Sequence, residues 1–383
     1  MKLIKTYSII IVCSVILSVF LFIVFKLVIE KKLNPYPSDI IQEYKNKTGN
    51  EFDKRPRFKV YEDLIKDNPN VMVSVPPESY LINVNYKIKN NVFPLSGVSN
   101  VLTINCNENG YYSTYKSDRY GFNNPDKEWD KKNIEYLLIG DSMVHGFCVN
   151  RPNDIASVLR NLSNKGILNL GYGGNGPLLE YATLKEYIRP NVKNVVWVYY
   201  EDNDINNLKK ELKSKILNQY LVNYNFTQDL KYKQNKVNFT VKDYLNFHYN
   251  KIIKLYNSIK QIFVNLINRN SINKEAKNKS EILNKFSNVL NLAKTISVEN
   301  NSNFYFVYLP GINRYKNTDY KNVFYKDVKK IVEGLEIPFI DIDKEVFQKE
   351  THPLKLFPFE RYHHYTVEGF RKVTESIFRV VSK

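Results

Sequence analysis

From Ile134 onward the chain alternates short, unbroken apolar runs with longer stretches in which apolar positions recur every three or four residues. The runs at 134–139, 167–170, 194–200, 303–309 and 338–342 predict strands. The helical periodicity predicts helices over 153–162, 177–188, 204–213, 320–333 and 366–381. Strand and helix in succession imply a parallel sheet with helices on both faces, a three-layer α/β fold. Ligands of such sheets bind beyond the carboxyl ends of the strands, so the polar residues just after each strand carry the most weight.

Three stretches depart from this rhythm. Residues 208–302 hold no evident strand but show helical patterns at 241–267 and 280–298, and read as a helical insertion, either a surface elaboration or a lid or docking face. Residues 33–130 are rich in Tyr, Asn and Pro, with alternating stretches at 80–88 and 101–104 that predict short strands in an accessory lead-in. Residues 6–25 carry no charge for 20 residues, which as a helix would span about 30 Å. That predicts a single N-terminal transmembrane helix with lysines on both flanks. The run lacks the small-x-small cleavage site of a signal peptide. The expected organisation is therefore an anchor at 1–32, the lead-in at 33–130, and an α/β domain at 131–383 with its insertion at about 208–302.

Composition narrows the class. Of 383 residues, 43% are hydrophobic and 14% aromatic, too much apolar material for a disordered polymer. Fourteen Gly, 15 Pro and three Cys exclude collagen and disulfide-scaffold classes. The net charge of +17 comes mostly from dispersed lysines, without a basic block interleaved with stacking aromatics, so no nucleic-acid partner is expected. A basic surface suits acidic polymers or anionic headgroups. With Cys13 in the apolar run, Cys106 and Cys148 form an even pair that an oxidising compartment could join; two free thiols are the alternative. The soluble portion is placed outside the cytoplasm on that hint. No metal-spaced His/Cys cluster or phosphate loop occurs, and neither metal nor cofactor is expected.

The candidate chemistry lies after the strands. The first strand runs into Gly140, Asp141 and Ser142, where a hydroxyl at the start of a helix is a candidate nucleophile, or an ordinary cap. The second is followed by Asn169 and the glycines 171, 173, 174 and 176, whose backbone can approach a ligand closely. The third ends in Glu201, Asp202, Asn203 and Asp204; the Asn203 amide can donate to an oxyanion. Before the last helix stand Glu360, Arg361, His363 and His364, and a histidine there can serve as general base.

These four blocks, in this order, resemble the SGNH hydrolase family, also called GDSL-type esterases. The resemblance spans roughly residues 115–380, including the lead-in SDRYGFNNPDKEW. It implies a flavodoxin-like parallel sheet, with Ser142 as nucleophile and an oxyanion hole formed by the N–H groups of Ser142 and Gly174 and the Asn203 side chain. Gly174 follows Asn169 by five residues and Gly369 follows His364 by five, the family's spacings, which favours His364 over His363. Two positions depart from the pattern. Arg361 stands where the family has an acid three residues before the histidine, leaving Glu360 as orienting acid or the site as a Ser–His dyad. Glu201 replaces a usual glycine, with consequences for acyl acceptance. His145, His352, Asp341 and Asp343 fall outside the blocks and read as structural.

The resemblance implies an ester hydrolase. Tethering and basic charge point to O-acetylated cell-envelope or exported glycans as substrate, with lipid esters a second class. An O-acyltransferase fed by a membrane partner, and a non-catalytic glycan-binding or scaffold module, are the alternatives.

Overall fold

The computed structural model describes residues 14, 16–20, 24, 36–83, 85–256, 279–317, 319–320 and 322–382. They fall into two compact units, one of residues up to 69 with 110–112, the other of 70–109 with 113–383. The division thus falls after Pro69 and not near residue 130; residues 70–109 and 113–130 belong with the sheet. Among the described residues no helix is long and apolar enough to cross a membrane. The apolar run 6–25 lies largely outside them; among its described members Ile16, Leu17, Val19, Phe20 and Val24 have exposed side chains.

The smaller unit contains the helices Ser38–Thr48 and Arg57–Asp67, which bury Ile40 and Val60. Phe52 packs between Tyr36 and Tyr44, with ring centroids 4.7 and 5.5 Å away.

The larger unit carries two sheets. A small one joins β1 (Val71–Val73), β2 (Leu102–Ile104) and β3 (Thr114–Lys116), parallel between β1 and β2 and antiparallel between β2 and β3. The principal sheet comprises β4 (Ile134–Gly140), β5 (Ile167–Asn169), β6 (Val192–Tyr200), β7 (Asn303–Leu309) and β8 (Phe339–Asp341). All its pairings are parallel, in the order β5-β4-β6-β7-β8. Alternate side chains of a strand point to opposite faces, and here they divide cleanly. Tyr136, Leu138, Val196, Val198 and Val307 meet Ile155, Ala156 and Leu159 of the helix Ile155–Ser163, and Phe370, Val373 and Ile377 of the helix Val367–Val381. Leu137, Ile139, Val195, Trp197 and Phe306 face the helices Pro177–Tyr187, Lys279–Glu299 and Tyr325–Gly334. Burying each such side chain contributes about 1.5–3 kcal/mol, and burial on both faces explains why these strands read as unbroken apolar runs.

The helical insertion extends the second of these faces. It contributes the helices Lys215–Val222 and Gln234–Tyr256, and its residues 257–278 lie outside the described ones. The stretch 80–88 is not a strand. Its first residues close the short helix Glu78–Ile82, opened by turns onto Pro76 and Pro77. Tyr80 and Tyr86 pack against Tyr244 of the insertion, each with centroids 4.9 Å away. Their alternation reflects this aromatic cluster and not a pleated face.

The order β5-β4-β6 makes the carboxyl ends of β4 and β6 the point at which the chain reverses its direction of sheet growth. Ser142 follows β4 and Asn203 follows β6, so both flank the crevice that open α/β sheets use for ligands.

Candidate active site

Gly140 ends β4 with φ +158°, and a Cβ there would lie 2.7 Å from the Val198 carbonyl oxygen. Asp141 then caps the short helix Ser142–His145, accepting from the Met143 N–H at 2.8 Å. This turn holds Ser142 as the first helical residue, where its own N–H has no intrahelical acceptor. Ser142 is 8% exposed, reachable yet mostly enclosed.

The histidine arrives from the far end of the chain. Thr366 caps the helix Val367–Val381 by accepting from the Gly369 N–H at 3.1 Å, and a Cβ on Gly369 would press the Leu356 carbonyl oxygen at 2.6 Å. The buried Tyr365 hydroxyl donates to the Pro310 carbonyl at 2.7 Å. Held between these anchors, His364 places Nε2 2.9 Å from Ser142 Oγ. His363 points elsewhere, half exposed, with Nδ1 3.4 Å from Asp202.

Behind His364 stands Glu108, a residue that none of the four blocks contains. Its Oε1 lies 3.0 Å from His364 Nδ1, and its Oε2 accepts the His364 backbone N–H at 3.1 Å. With the proton of the neutral ring on Nδ1 toward the carboxylate, Nε2 is free to accept from the serine hydroxyl. Burial opposes ionisation of both partners. The ion pair and hydrogen bond between them outweigh it, holding Glu108 below the ordinary carboxylate range and His364 above the ordinary imidazole value, with Asp141 adding to the latter.

Glu360 does not meet either catalytic-block histidine. Phe359 and Glu360 both adopt left-handed φ, 52° and 55°, which turns the carboxylate outward, and it pairs with His352 at 3.0 Å. The orienting-acid position assigned to Glu360 is therefore occupied by Glu108. One feature of the sequence pointed there: Cys148 lies six residues after Ser142, so pairing with Cys106 brings residue 108 to the site. That disulfide is present. Cys148 Sγ lies 4.0 Å from His364 Nδ1. Cys148, Glu108 and His364 present donor atoms within 4.8 Å of one another, but a sulfur committed to a disulfide is no thiolate ligand.

The oxyanion-hole candidates are arranged as follows. Asn203 Nδ2 donates to Asp141 Oδ2 at 2.9 Å, the same oxygen that lies 3.3 Å from Ser142 Oγ. In the glycine loop, the N–H groups of Gly171, Tyr172, Gly173, Asn175 and Gly176 are engaged by Asn169, Gly140, His145, Tyr172 and Glu211 respectively. No acceptor among the described residues takes the N–H of Gly174, whose φ of +79° turns it out of the loop's pattern. A Cβ there would meet Pro76 at 3.0 Å.

Other polar residues support this frame. His145 is wholly buried, accepts the Gly173 N–H at Nδ1 (3.1 Å) and pairs Nε2 with the Tyr115 hydroxyl (2.8 Å); burial pushes it down to about 3, so it stays neutral. Glu211 accepts the N–H groups of Gly176 and Leu178 and so caps the helix Pro177–Tyr187. Burial lifts it to about 8 despite those donors. Glu201 is the hub of a buried network, accepting from Arg314, Gly311, Tyr308 and Asn322. Asp341 accepts the Tyr325 hydroxyl and Asp343 that of Tyr315, both at 2.6 Å. The lead-in motif is equally structural. Asp118 accepts from Trp129 Nε1 (2.7 Å), Asn124 Nδ2 and the N–H groups of Tyr120 and Phe122. Asn124 bonds both backbone groups of Asn169, and Asn123 donates to the His145 carbonyl.

No family model and no curated protein matches the chain. Among solved structures it is similar to a G-D-S-L family lipolytic protein from Desulfitobacterium hafniense DCB-2 (13% identity, TM-score 0.36, covering 65% of this chain and 99% of that one). Another is a G-D-S-L lipolytic family member from Veillonella parvula DSM 2008 (10%, TM-score 0.37, 65% and 99%). A third is an acetylxylan esterase from Geobacillus stearothermophilus (13%, TM-score 0.34, 65% and 94%). TM-scores this far below 0.5 decide neither fold nor chemistry, which rest on the sheet order and the side-chain geometry.

Proposed function

We propose that this protein is a serine esterase of the SGNH type, acting on acyl esters, foremost O-acetyl groups of a cell-envelope or exported glycan. The observation that carries the reading is the continuous relay from Glu108 to His364 to Ser142, at 3.0 and 2.9 Å. Such a relay activates a hydroxyl that is otherwise a weak nucleophile. Arg361 in place of an acid before His364 would suit a non-catalytic module; Glu108 against His364 Nδ1 favours the catalytic reading instead.

In the proposed reaction Ser142 Oγ attacks the ester carbonyl carbon while His364 Nε2 takes its proton. Glu108 holds the imidazole with Nδ1–H toward the carboxylate and stabilises the imidazolium that forms. The oxyanion of the tetrahedral intermediate is received by the N–H groups of Ser142 and Gly174 and the second amide hydrogen of Asn203. On collapse, His364 returns the proton to the departing alcohol oxygen, leaving an acyl-serine. Water, deprotonated by the same histidine, then attacks the acyl carbon; as the bond to Ser142 Oγ breaks, His364 returns the proton to that oxygen and the acid is released. The apolar run 6–25 and the disulfide support a membrane-tethered site in an oxidising, extracytoplasmic compartment.

The test is reaction of the purified full chain with a serine-directed fluorophosphonate, peptide mass mapping, and acetate release from an O-acetylated polysaccharide. Label on Ser142, lost in Ser142→Ala, together with acetate in solution, is the expected result. Acetyl recovered on an added sugar acceptor in place of water would identify transfer through the same acyl-serine. A folded protein unlabelled at Ser142 overturns the reading.

A further inference from the structure

We propose that the Cys106–Cys148 disulfide is a positioning element of the catalytic relay: it holds Glu108 against His364, so that full reactivity of Ser142 belongs to the oxidised protein. This inference rests on the esterase reading above.

Glu108 sits on neither a helix nor a strand. It lies in the loop that leaves β2 at Ile104, four residues beyond the last paired residue of that strand. Besides the bonds of Asn105 and Cys106 to Ser113, that loop is tied to Cys148 at two levels. Cys106, two residues before Glu108, is bonded to Cys148 with the Cα atoms 4.9 Å apart across 42 residues of sequence. Asn109, one residue after Glu108, donates its side-chain amide to the Cys148 carbonyl at 3.0 Å. The acid is thus flanked on both sides by attachments to a single residue, which lies six positions after the nucleophile. Cys148 is fully buried and takes a left-handed φ of 62°, a conformation a non-glycine residue keeps only where its surroundings enforce it. Its sulfur lies 4.0 Å from His364 Nδ1, so the cystine also packs beside the very bond it secures.

A catalytic group misplaced by about 1 Å can cost on the order of 100-fold in rate. Reduction by a dithiol adds two electrons and two protons, converting the cystine to two thiols while the reductant leaves as its own disulfide. Reduction removes the covalent tie to Cys148, leaving the loop to hydrogen bonds: the Asn109 amide on the Cys148 carbonyl, Ser113 on the Cys106 carbonyl, and the bonds of Glu108 to His364.

The full chain is labelled with a fluorophosphonate across pH, in oxidised form, after reduction with a dithiol in the presence of a chelator, and as Cys106→Ser/Cys148→Ser. The same series is run on Glu108→Gln. Thermal melting identifies a temperature at which every form is folded. In the wild type, reduction should slow labelling of Ser142 about tenfold or more and move the acid limb of the pH profile downward, as loss of the carboxylate does. In Glu108→Gln, reduction should change the rate less than twofold. Equal rates for oxidised and fully reduced wild type overturn the assignment. So does an equal slowing in the Glu108→Gln background, which would make the disulfide a general stabiliser. Should Ser142 fail to label in the oxidised wild type, the esterase reading itself fails.

Discussion

The principal sheet and the part of the lead-in at residues 70–109 and 113–130 belong to one unit but specify their parts of the site in different ways. In β4–β8 each face is built from repeated apolar positions, so many residues share one task and none is singular. Between residues 70 and 130 the structure rests on individual polar contacts: Asp118 with its four donors, Asn124 across Asn169, Glu108 on His364. The sheet presents Ser142 and Asn203, the proposed nucleophile and oxyanion donor, and the lead-in brings Glu108 to His364 and clamps the loops around them. A region without regular periodicity thus holds as much of the chemistry as the region that has it.

That contrast can be broken by experiment. The largest effect is expected at the sheet's own contribution: Ser142→Ala should lower esterase kcat/KM by about 10⁴-fold or more, measured on an activated acetyl ester. Next comes the lead-in's contribution. Glu108→Gln should lower kcat by about 10²- to 10⁴-fold, as loss of an orienting acid does in serine hydrolases, while Glu360→Gln stays within about twofold. Equal losses for the two, or a loss only for Glu360→Gln, would return the acid to the block before the last helix.

Stability separates the regions differently. Phe306→Ala in the sheet should cost about 3–5 kcal/mol in denaturant unfolding by leaving a cavity. Asp118→Ala should cost about 2–4 kcal/mol by stranding buried donors, even though it removes little apolar area. If Asp118→Ala proves neutral, the lead-in is a passenger on the sheet.

The smallest effect is on pH dependence. His364 must be neutral to accept the serine proton, so activity rises with pH through its pKa, which Glu108 holds above the ordinary 6.5. In Glu108→Gln that rise should move to lower pH. The corresponding stability runs the opposite way. The Glu108–His364 ion pair contributes fully only between the carboxylate range and about pH 6.5; it is lost as pH climbs through the raised folded value of His364, and again as pH falls through the lowered folded value of Glu108.

The legibility of each part follows from the same contrast. The five strands and the flanking helices were readable because burial on two faces writes long apolar runs and a helical period into the chain. Ser142, Asn203 and His364 were readable because each follows or precedes a regular element at a set distance. Residues 80–88 misled because aromatic packing onto Tyr244 happens to alternate. Glu360 misled because proximity in sequence to His364 does not reveal a turn through two left-handed residues. Glu108 left no periodic trace: an irregular loop reaches the site through a cystine whose partners lie 42 residues apart.

The distance along the chain between the acid and the base has a consequence for biosynthesis. Glu108 and His364 are 256 residues apart. At roughly 5–20 residues per second of synthesis, the acid waits on the order of tens of seconds for its histidine. Cys106 and Cys148 are both made well before that, so the half-site can be stapled while the sheet still lacks β6, β7 and β8. Throughout this interval Ser142 lacks the His364 imidazole that lies 2.9 Å from its hydroxyl in the finished fold. The contacts from Glu108 to His364 to Ser142 close only when the segment before the last helix is in place, so their formation marks the completion of the fold.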